Sequence, residues 1–327
     1  MRSTVVYVAA LLAATITSSA AELRLSGPYK HDNLYIYLVH GQERVKNRYL
    51  TLAEAMEQHK VVVYETGTVN QLQVENLSGE DVYIQSGEIV KGGRQDRVLK
   101  DDFILPTASG KVDITAFCVE HGRWTQRGEE SVQAFAATPS AIASPEMKRA
   151  VRDKGNQSAV WAEVSAAQVQ LARNLGARVK STASESSYQL TLEAPKLKET
   201  SNGFKKELAG LADQHSDALG YVMVVNGNVT GADVYATHDL FRRSWPKLLE
   251  SAAVEAMTAG KPAGAVPAPS MAEVRAAATG YGARVSDERQ ISRRTRSVKA
   301  ELPKGIVFET EDTAAPGGPI HRSYVTK

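Results

Sequence analysis

Gly220-Tyr221-Val222-Met223-Val224-Val225-Asn226-Gly227-Asn228-Val229-Thr230-Gly231-Ala232-Asp233-Val234-Tyr235 is the passage that decides the fold. Two runs rich in β-branched and aromatic side chains flank Asn226-Gly227. That dipeptide accepts the positive φ values of a two-residue hairpin turn, so the two runs are expected to pair antiparallel. On the C-terminal side, Asp239 is expected to cap a helix carrying Phe241, Trp245, Leu248, Leu249 and Val254, with Pro246 in its first turn or at a kink. On the N-terminal side, residues 158–175 place Val160, Val164, Ala167 and Leu171 at steps of three and four and stop at Gly176, the spacing of an amphipathic helix. Residues 147–151 and 204–211 read as further helical pieces, and residues 183–188 as a small polar loop.

Before residue 125 the period changes to that of strands. Residues 34–39, 61–64, 69–74, 82–84 and 112–119 are β-branched or aromatic, with turn residues such as Ser78-Gly79 and Ser109-Gly110 between them. Thr51-Leu52-Ala53-Glu54 interrupts them with a capping-box pattern, in which the hydroxyl accepts from the third helical amide while the glutamate reaches back. The expected class is therefore α+β. A strand-rich, sandwich-like part spans residues 22–138, and a helix-rich part with the hairpin spans residues 139–259. Residues 260–269, rich in Gly, Ala and Pro, read as a linker, and residues 270–327 as a short C-terminal appendage. The tail clusters Arg289, Arg293, Arg294, Arg296 and Lys299, but Asp287, Glu288 and Glu301 flank them. This is the pattern of a solvated strand face rather than a nucleic-acid patch.

Composition limits the function classes. The chain has 327 residues, a formal net charge of +2 and one cysteine, Cys118. No global field invites nucleic acid, and no internal disulfide can form. Residues 1–21 have a brief charged start, an apolar run at 5–16 and small residues at 18–21, the pattern of a cleavable signal peptide. Export to a periplasm or to the outside is expected, with no transmembrane segment after cleavage because no later apolar run is long enough to span. The seven histidines show no paired metal spacing, so no metal and no cofactor are expected.

Two stretches concentrate chemistry: Gly87-Glu88-Ile89-Val90-Lys91-Gly92-Gly93-Arg94-Gln95-Asp96-Arg97 and Cys118-Val119-Glu120-His121-Gly122-Arg123-Trp124. With Val98-Leu99 after the first stretch, and with Gly231-Ala232-Asp233 and Trp245-Pro246-Lys247-Leu248-Leu249 further on, they resemble the ARG and Rhodanese-Phosphatase-superfamily-associated protein domain over residues 23–257. The family name records domain association, so the resemblance implies no particular activity.

The residues themselves suggest an anion site. Gly92 and Gly93 permit close backbone approach, while Arg94, Arg97 and Arg123 offer forked donors matched to carboxylate or phosphate. Gln95 and Trp124 complete the expected ligand-binding set. An alternative stays open, in which Gln95, Asp96 and Arg123 form a buried polar network tying two sheets together. Cys118 and His121 are three apart on a strand and so point to opposite faces, which argues against a thiol–imidazole pair. Two functions follow as expectations. The first is a ligand-binding or interaction module for an anionic small molecule or glycan. The second is a hydrolase acting on a phosphate- or ribose-containing substrate, with Glu88, Asp96 and Asp233 as candidate catalytic carboxylates.

Overall fold

A computed structural model describes residues 23–138 and 142–327. The expected signal peptide lies outside the described residues. The fold is α+β, with a strand-rich N-terminal half. Its main element is an antiparallel sheet of eight strands, in the order Arg24–His31 (β1), Leu34–His40 (β2), Ala218–Val225 (β12), Asn228–Tyr235 (β13), His321–Thr326 (β17), Gly305–Asp312 (β16), Thr295–Leu302 (β15) and Arg284–Gln290 (β14). The quoted hairpin, β12–β13, sits near its centre and turns at Asn226 (φ 48°) and Gly227 (φ 77°), as its dipeptide requires.

Both faces of this sheet are covered, which is why its central strands are apolar throughout. Leu34, Ile36 and Leu38 of β2 and Tyr221, Met223 and Val225 of β12 point to a core shared with the helices Gln157–Leu175 (α3), Pro195–Leu208 (α5) and His238–Ala259 (α7). The alternate residues Tyr37, Val39, Val222 and Val224 face a second core under the helix Met271–Thr279 (α8). α7 is capped by Thr237, whose side chain accepts from the amide of Leu240, and not by Asp239. It carries Pro246 in its interior rather than its first turn. Phe241, Trp245, Leu248 and Leu249 of α7 are all 2 % exposed or less, and each such burial is worth about 1.5–3 kcal/mol.

The N-terminal part adds two smaller sheets. One has the order Phe135–Ala137 (β11), Ile89–Gly92 (β7), Arg97–Leu99 (β8), Gly110–Cys118 (β10), Gln71–Asn76 (β5) and Val61–Thr68 (β4). The other has Leu50–Thr51 (β3), Val82–Ile84 (β6) and Phe103–Leu105 (β9). Side chains of both, among them Val63, Val74, Ile84, Leu99 and Phe103, fill one core, the expected sheet-on-sheet packing. The capping box forms as read. Thr51 Oγ1 accepts from the Glu54 amide at 3.3 Å, and Glu54 Oε2 accepts from the Thr51 amide at 2.9 Å.

Residues 270–327 differ from the appendage expected of them. They supply four of the eight strands of the main sheet, and β17 lies beside the hairpin, pairing Gly231 with Val325 and Asp233 with Ser323. The edge strand β14 escapes a sequence reading because Arg284-Val285-Ser286-Asp287-Glu288-Arg289-Gln290 is charged and mostly exposed, as an edge that must not recruit another strand should be. The arginine cluster of the tail is spent on acidic neighbours: Arg296 reaches Glu288 at 2.6 Å and Glu311 at 2.8 Å, and Arg294 reaches Asp81 at 2.7 Å. Residues 260–269 hold no helix or strand, yet Pro267 lies against the hairpin turn, where a side chain at Gly227 would come within 2.3 Å of its carbonyl.

Candidate functional site

The glycine–arginine stretch forms the turn from β7 to β8, and two of its charged residues, Asp96 and Arg97, face inward. Asp96 is fully buried and accepts four hydrogen bonds from three residues: the Gly92 amide (3.0 Å), both terminal nitrogens of Arg127 (2.9 and 2.8 Å) and the Ser187 hydroxyl (2.7 Å). The Asp96 amide donates to Glu120 Oε2 at 3.0 Å, and Glu120 Oε1 accepts from Arg123 Nε at 2.7 Å. The remaining nitrogens of Arg123 bond the carbonyls of Gly93 (3.0 Å), Gly92 (3.1 Å) and Thr125 (2.7 Å). Burial pushes the Glu120 carboxyl up, but Arg123, Ser184 and the Asp96 amide outweigh it and hold Glu120 below the usual range.

This geometry corrects the anion-site expectation for most of its residues. Arg97 is fully buried and bonds the Gln95 carbonyl at 3.0 Å and Glu65 Oε2 at 3.3 Å. Gln95 is itself buried. Gly93 is a packing requirement, because at φ 53° an added Cβ would lie 2.3 Å from the Phe135 ring. Of the expected set Arg94 and Trp124 are exposed and Arg123 is partly so, with the Arg94 and Arg97 guanidinium carbons 5.5 and 5.6 Å from the indole centroid. The network alternative holds for Asp96 and Arg123. It recruits Arg127, Glu65 and Ser187, which carry no motif and lie up to 91 residues away in sequence. Cys118, the last residue of β10, is buried, and His121 is exposed because it lies beyond the strand's end rather than through alternation along it; burial pushes the thiol up.

The other two carboxylates meet at a different place. Gln85, which follows β6, donates its amide to Glu88 Oε2 at 3.0 Å and its side-chain Nε2 to Asp233 Oδ1 at 3.3 Å. The carbonyl oxygen of the Gln85 side chain accepts from the Tyr235 hydroxyl at 2.7 Å, so both ends of that amide are fixed. Glu88 Oε1 accepts from Lys247 Nζ at 3.0 Å. Lys247 and Arg243 are one helical turn apart on α7 and share a face. Arg243 is anchored to Glu54 Oε2 (2.6 Å), Asp239 (2.6 Å) and the Tyr49 carbonyl (2.6 Å), which ties the capping box to the same wall. Between them opens a cleft of about 250 Å³, with Gln85, Glu88, Tyr83, Ser244, Arg243 and Lys247 in its lining.

Behind that lining lies a buried charge cluster. His321, 1 % exposed, places Nδ1 3.0 Å from Asp102 Oδ2 and Nε2 3.0 Å from Asp233 Oδ1. Ionised carboxylates only accept, so both ring nitrogens donate and the ring is an imidazolium. Burial alone would lower the His321 pKa, but Asp102 and Asp233 raise it above the ordinary value. Asp102 also accepts from the Ser86 amide (2.7 Å) and Thr310 (2.6 Å), with Arg152 at 3.4 Å, and is held far below the carboxylate range despite its burial. Asp233 has Tyr221 at 3.3 Å and Lys148 at 3.6 Å. Sequence reasoning missed Gln85, Lys247 and His321 as members of one site. Their nearest signal is the Trp-Pro-Lys run on α7, while His321 lay in the segment read as an appendage.

The matched residues run through all of these elements. A family model, the ARG and Rhodanese-Phosphatase-superfamily-associated Protein domain, fits residues 22–324. The chain belongs to this family. The family's span takes in the cleft, the Asp96 network, β14 to β16 and most of β17, so the resemblance read over residues 23–257 extends almost to the C-terminus. Among curated proteins and among solved structures, none matches the chain. Among the described residues no group of three or more His, Cys, Asp or Glu side chains is placed to hold a metal, and no helix is long and apolar enough to cross a membrane.

Proposed function

We propose that the protein is a ligand-binding module whose site is the Glu88–Lys247 cleft, and that its ligand is a hydroxyl-rich small molecule or the end of a glycan. The observation that carries this reading is the unspent capacity of Lys247. Its ammonium has three donors, is anchored by Glu88 at 3.0 Å, and stands on an open wall beside a glutamine and a glutamate that are already fixed. Charge balance favours hydroxyls over a bare anion. The lining carries Glu54, Glu57 and Glu88 against Arg243 and Lys247, a surplus of one negative charge that would oppose an anion but accepts hydroxyl protons readily. The volume suits a sugar ring, and the lining mixes apolar walls with a few convergent polar groups.

Of its three candidate carboxylates, the hydrolase alternative keeps one at the cleft, Glu88. Asp233 lies behind Gln85 and is occupied by His321, Tyr221 and Lys148, while Asp96 belongs to the separate network. Export to a periplasm or beyond remains part of the proposal and rests on residues 1–21.

A thermal-shift series with neutral mono- and disaccharides, sugar phosphates and inorganic phosphate tests the reading. Neutral sugars are expected to stabilise the protein at least as well as inorganic phosphate does. Ligand at 100 times its dissociation constant adds about 2.7 kcal/mol. Lys247→Met and Glu88→Gln should abolish the shift. Absence of any shift across the series, or a shift abolished by Arg94→Ala but retained in Lys247→Met, would overturn it.

A further inference from the structure

The buried histidine behind the cleft is linked to it by an unbroken line of hydrogen bonds. His321 Nε2 and Gln85 Nε2 donate to the same oxygen, Asp233 Oδ1, at 3.0 and 3.3 Å. The amide of that same Gln85 residue holds Glu88 at 3.0 Å, and Glu88 holds Lys247 at 3.0 Å. Every member apart from Lys247 is 4 % exposed or less. We propose that His321 is a proton-operated clamp on this cleft: the imidazolium fixes Gln85 and Glu88 in the geometry that receives ligand, and loss of its proton loosens them. This inference rests on the proposed binding role of the cleft, as a regulation of that same site.

The direction of the change follows from the partners on each side of the ring. Asp102 is supported by the Ser86 amide, Thr310 and Arg152, whereas Asp233 has a tyrosine, an amide and a lysine 3.6 Å away. The better-supported carboxylate keeps the remaining ring proton, so Nδ1 stays bonded to Asp102 and Nε2 is the atom that loses its hydrogen. Its lone pair then faces the oxygen that Gln85 also uses. Two acceptors at 3.0 Å repel, Asp233 withdraws, and the glutamine loses the partner that fixed its side-chain nitrogen. The groups that face the ring from each packed element are Asp102, Asp233 and Tyr235, together with Tyr83, whose ring centroid is 5.8 Å from that of His321. Arg152 and Lys148 stand behind the two carboxylates.

Sign follows from linkage. A histidine whose pKa is raised by folding contributes stability that is complete below its unfolded value and is lost as pH rises through the folded value. The clamp is therefore closed below the folded-state midpoint of His321, which lies above that of an ordinary histidine, and opens as pH rises through it.

A ligand-free NMR titration from about pH 6 to about pH 9.5 decides the matter. The His321 ring carbons and the Gln85 backbone amide, which donates to Glu88, are expected to move with one shared midpoint above that of an ordinary histidine. Asp233→Asn should lower both midpoints together, and Gln85→Met should leave the ring titrating while the residue-85 amide no longer follows it. A ring that keeps its proton throughout that range would make His321 a fixed brace and overturn the clamp. Separate midpoints, or an amide that still follows the ring in Gln85→Met, would overturn the route. The disaccharide maltose, tested by thermal shift on either side of the midpoint, should stabilise the protein only below it, and equal stabilisation on both sides would overturn the link to binding. Failure of every sugar at every pH would strike the binding role itself, while the titration still decides the clamp.

Discussion

The turn around Asp96 and the wall around Glu88 are both built from glycines, carboxylates and cations, and both are largely buried, yet they end in opposite states. At the turn the buried charges are answered within the chain. Arg127 grips Asp96 with two nitrogens, Arg123 spends its guanidinium on Glu120 and three carbonyls, and Arg97 is paired with Glu65. At the wall the chain of bonds stops short. It runs from Asp102 through His321, Asp233, Gln85 and Glu88 to Lys247 and ends in an ammonium beside open space. Residue types that suit an anion are therefore poor evidence of an anion site until their partners are known. A guanidinium offers five donors in a rigid fork, and a folded chain rich in carbonyls will use them first.

This contrast can be broken by experiment. Asp96→Ala should have the largest effect, because it leaves the buried Arg127 guanidinium, the Ser187 hydroxyl and the Gly92 amide without their acceptor. Removing one partner of a buried ion pair costs about 3–5 kcal/mol, measurable by urea unfolding. A loss below about 1 kcal/mol would mean that the turn does not depend on its network and that its arginines are freer than their geometry indicates. Gly93→Ala comes next. The methyl group must enter the Phe135 ring space at a positive φ, a strain of about 2 kcal/mol, and the same unfolding assay should show it with little change in the cleft. Arg94→Ala should be nearly silent, within about 0.5 kcal/mol, since its guanidinium is exposed and only stacks on Trp124. A larger loss there, or a loss of sugar binding, would blur the distinction between the two regions.

Much of the fold was legible because local rules and burial agree. Asn226-Gly227 set the hairpin, Thr51 and Glu54 the capping box, and Gly176 the stop of α3, where it takes a left-handed φ of 60°. The place of the tail was misread because its strands are half charged. β17 reads locally as a strand, but its burial comes from lying between β13 and β16, which its own residues do not announce. Of the site, Glu88 and Asp233 were legible as candidates, but their meeting through Gln85 was not. The two carboxylates are 145 residues apart, and the residue that joins them is a neutral glutamine with no chemistry of its own.

The sequence by itself determined where strands, turns and helices begin, because those depend on neighbours a few residues away: a positive φ, a side-chain cap, a period of two or of three and a half. Only the tertiary structure decided which charges are spent. That outcome depends on partners brought from distant parts of the chain. Ser187 closes around Asp96 and His321 is set between Asp102 and Asp233, so a carboxylate or guanidinium becomes structural or available according to what burial places within about 3 Å of it.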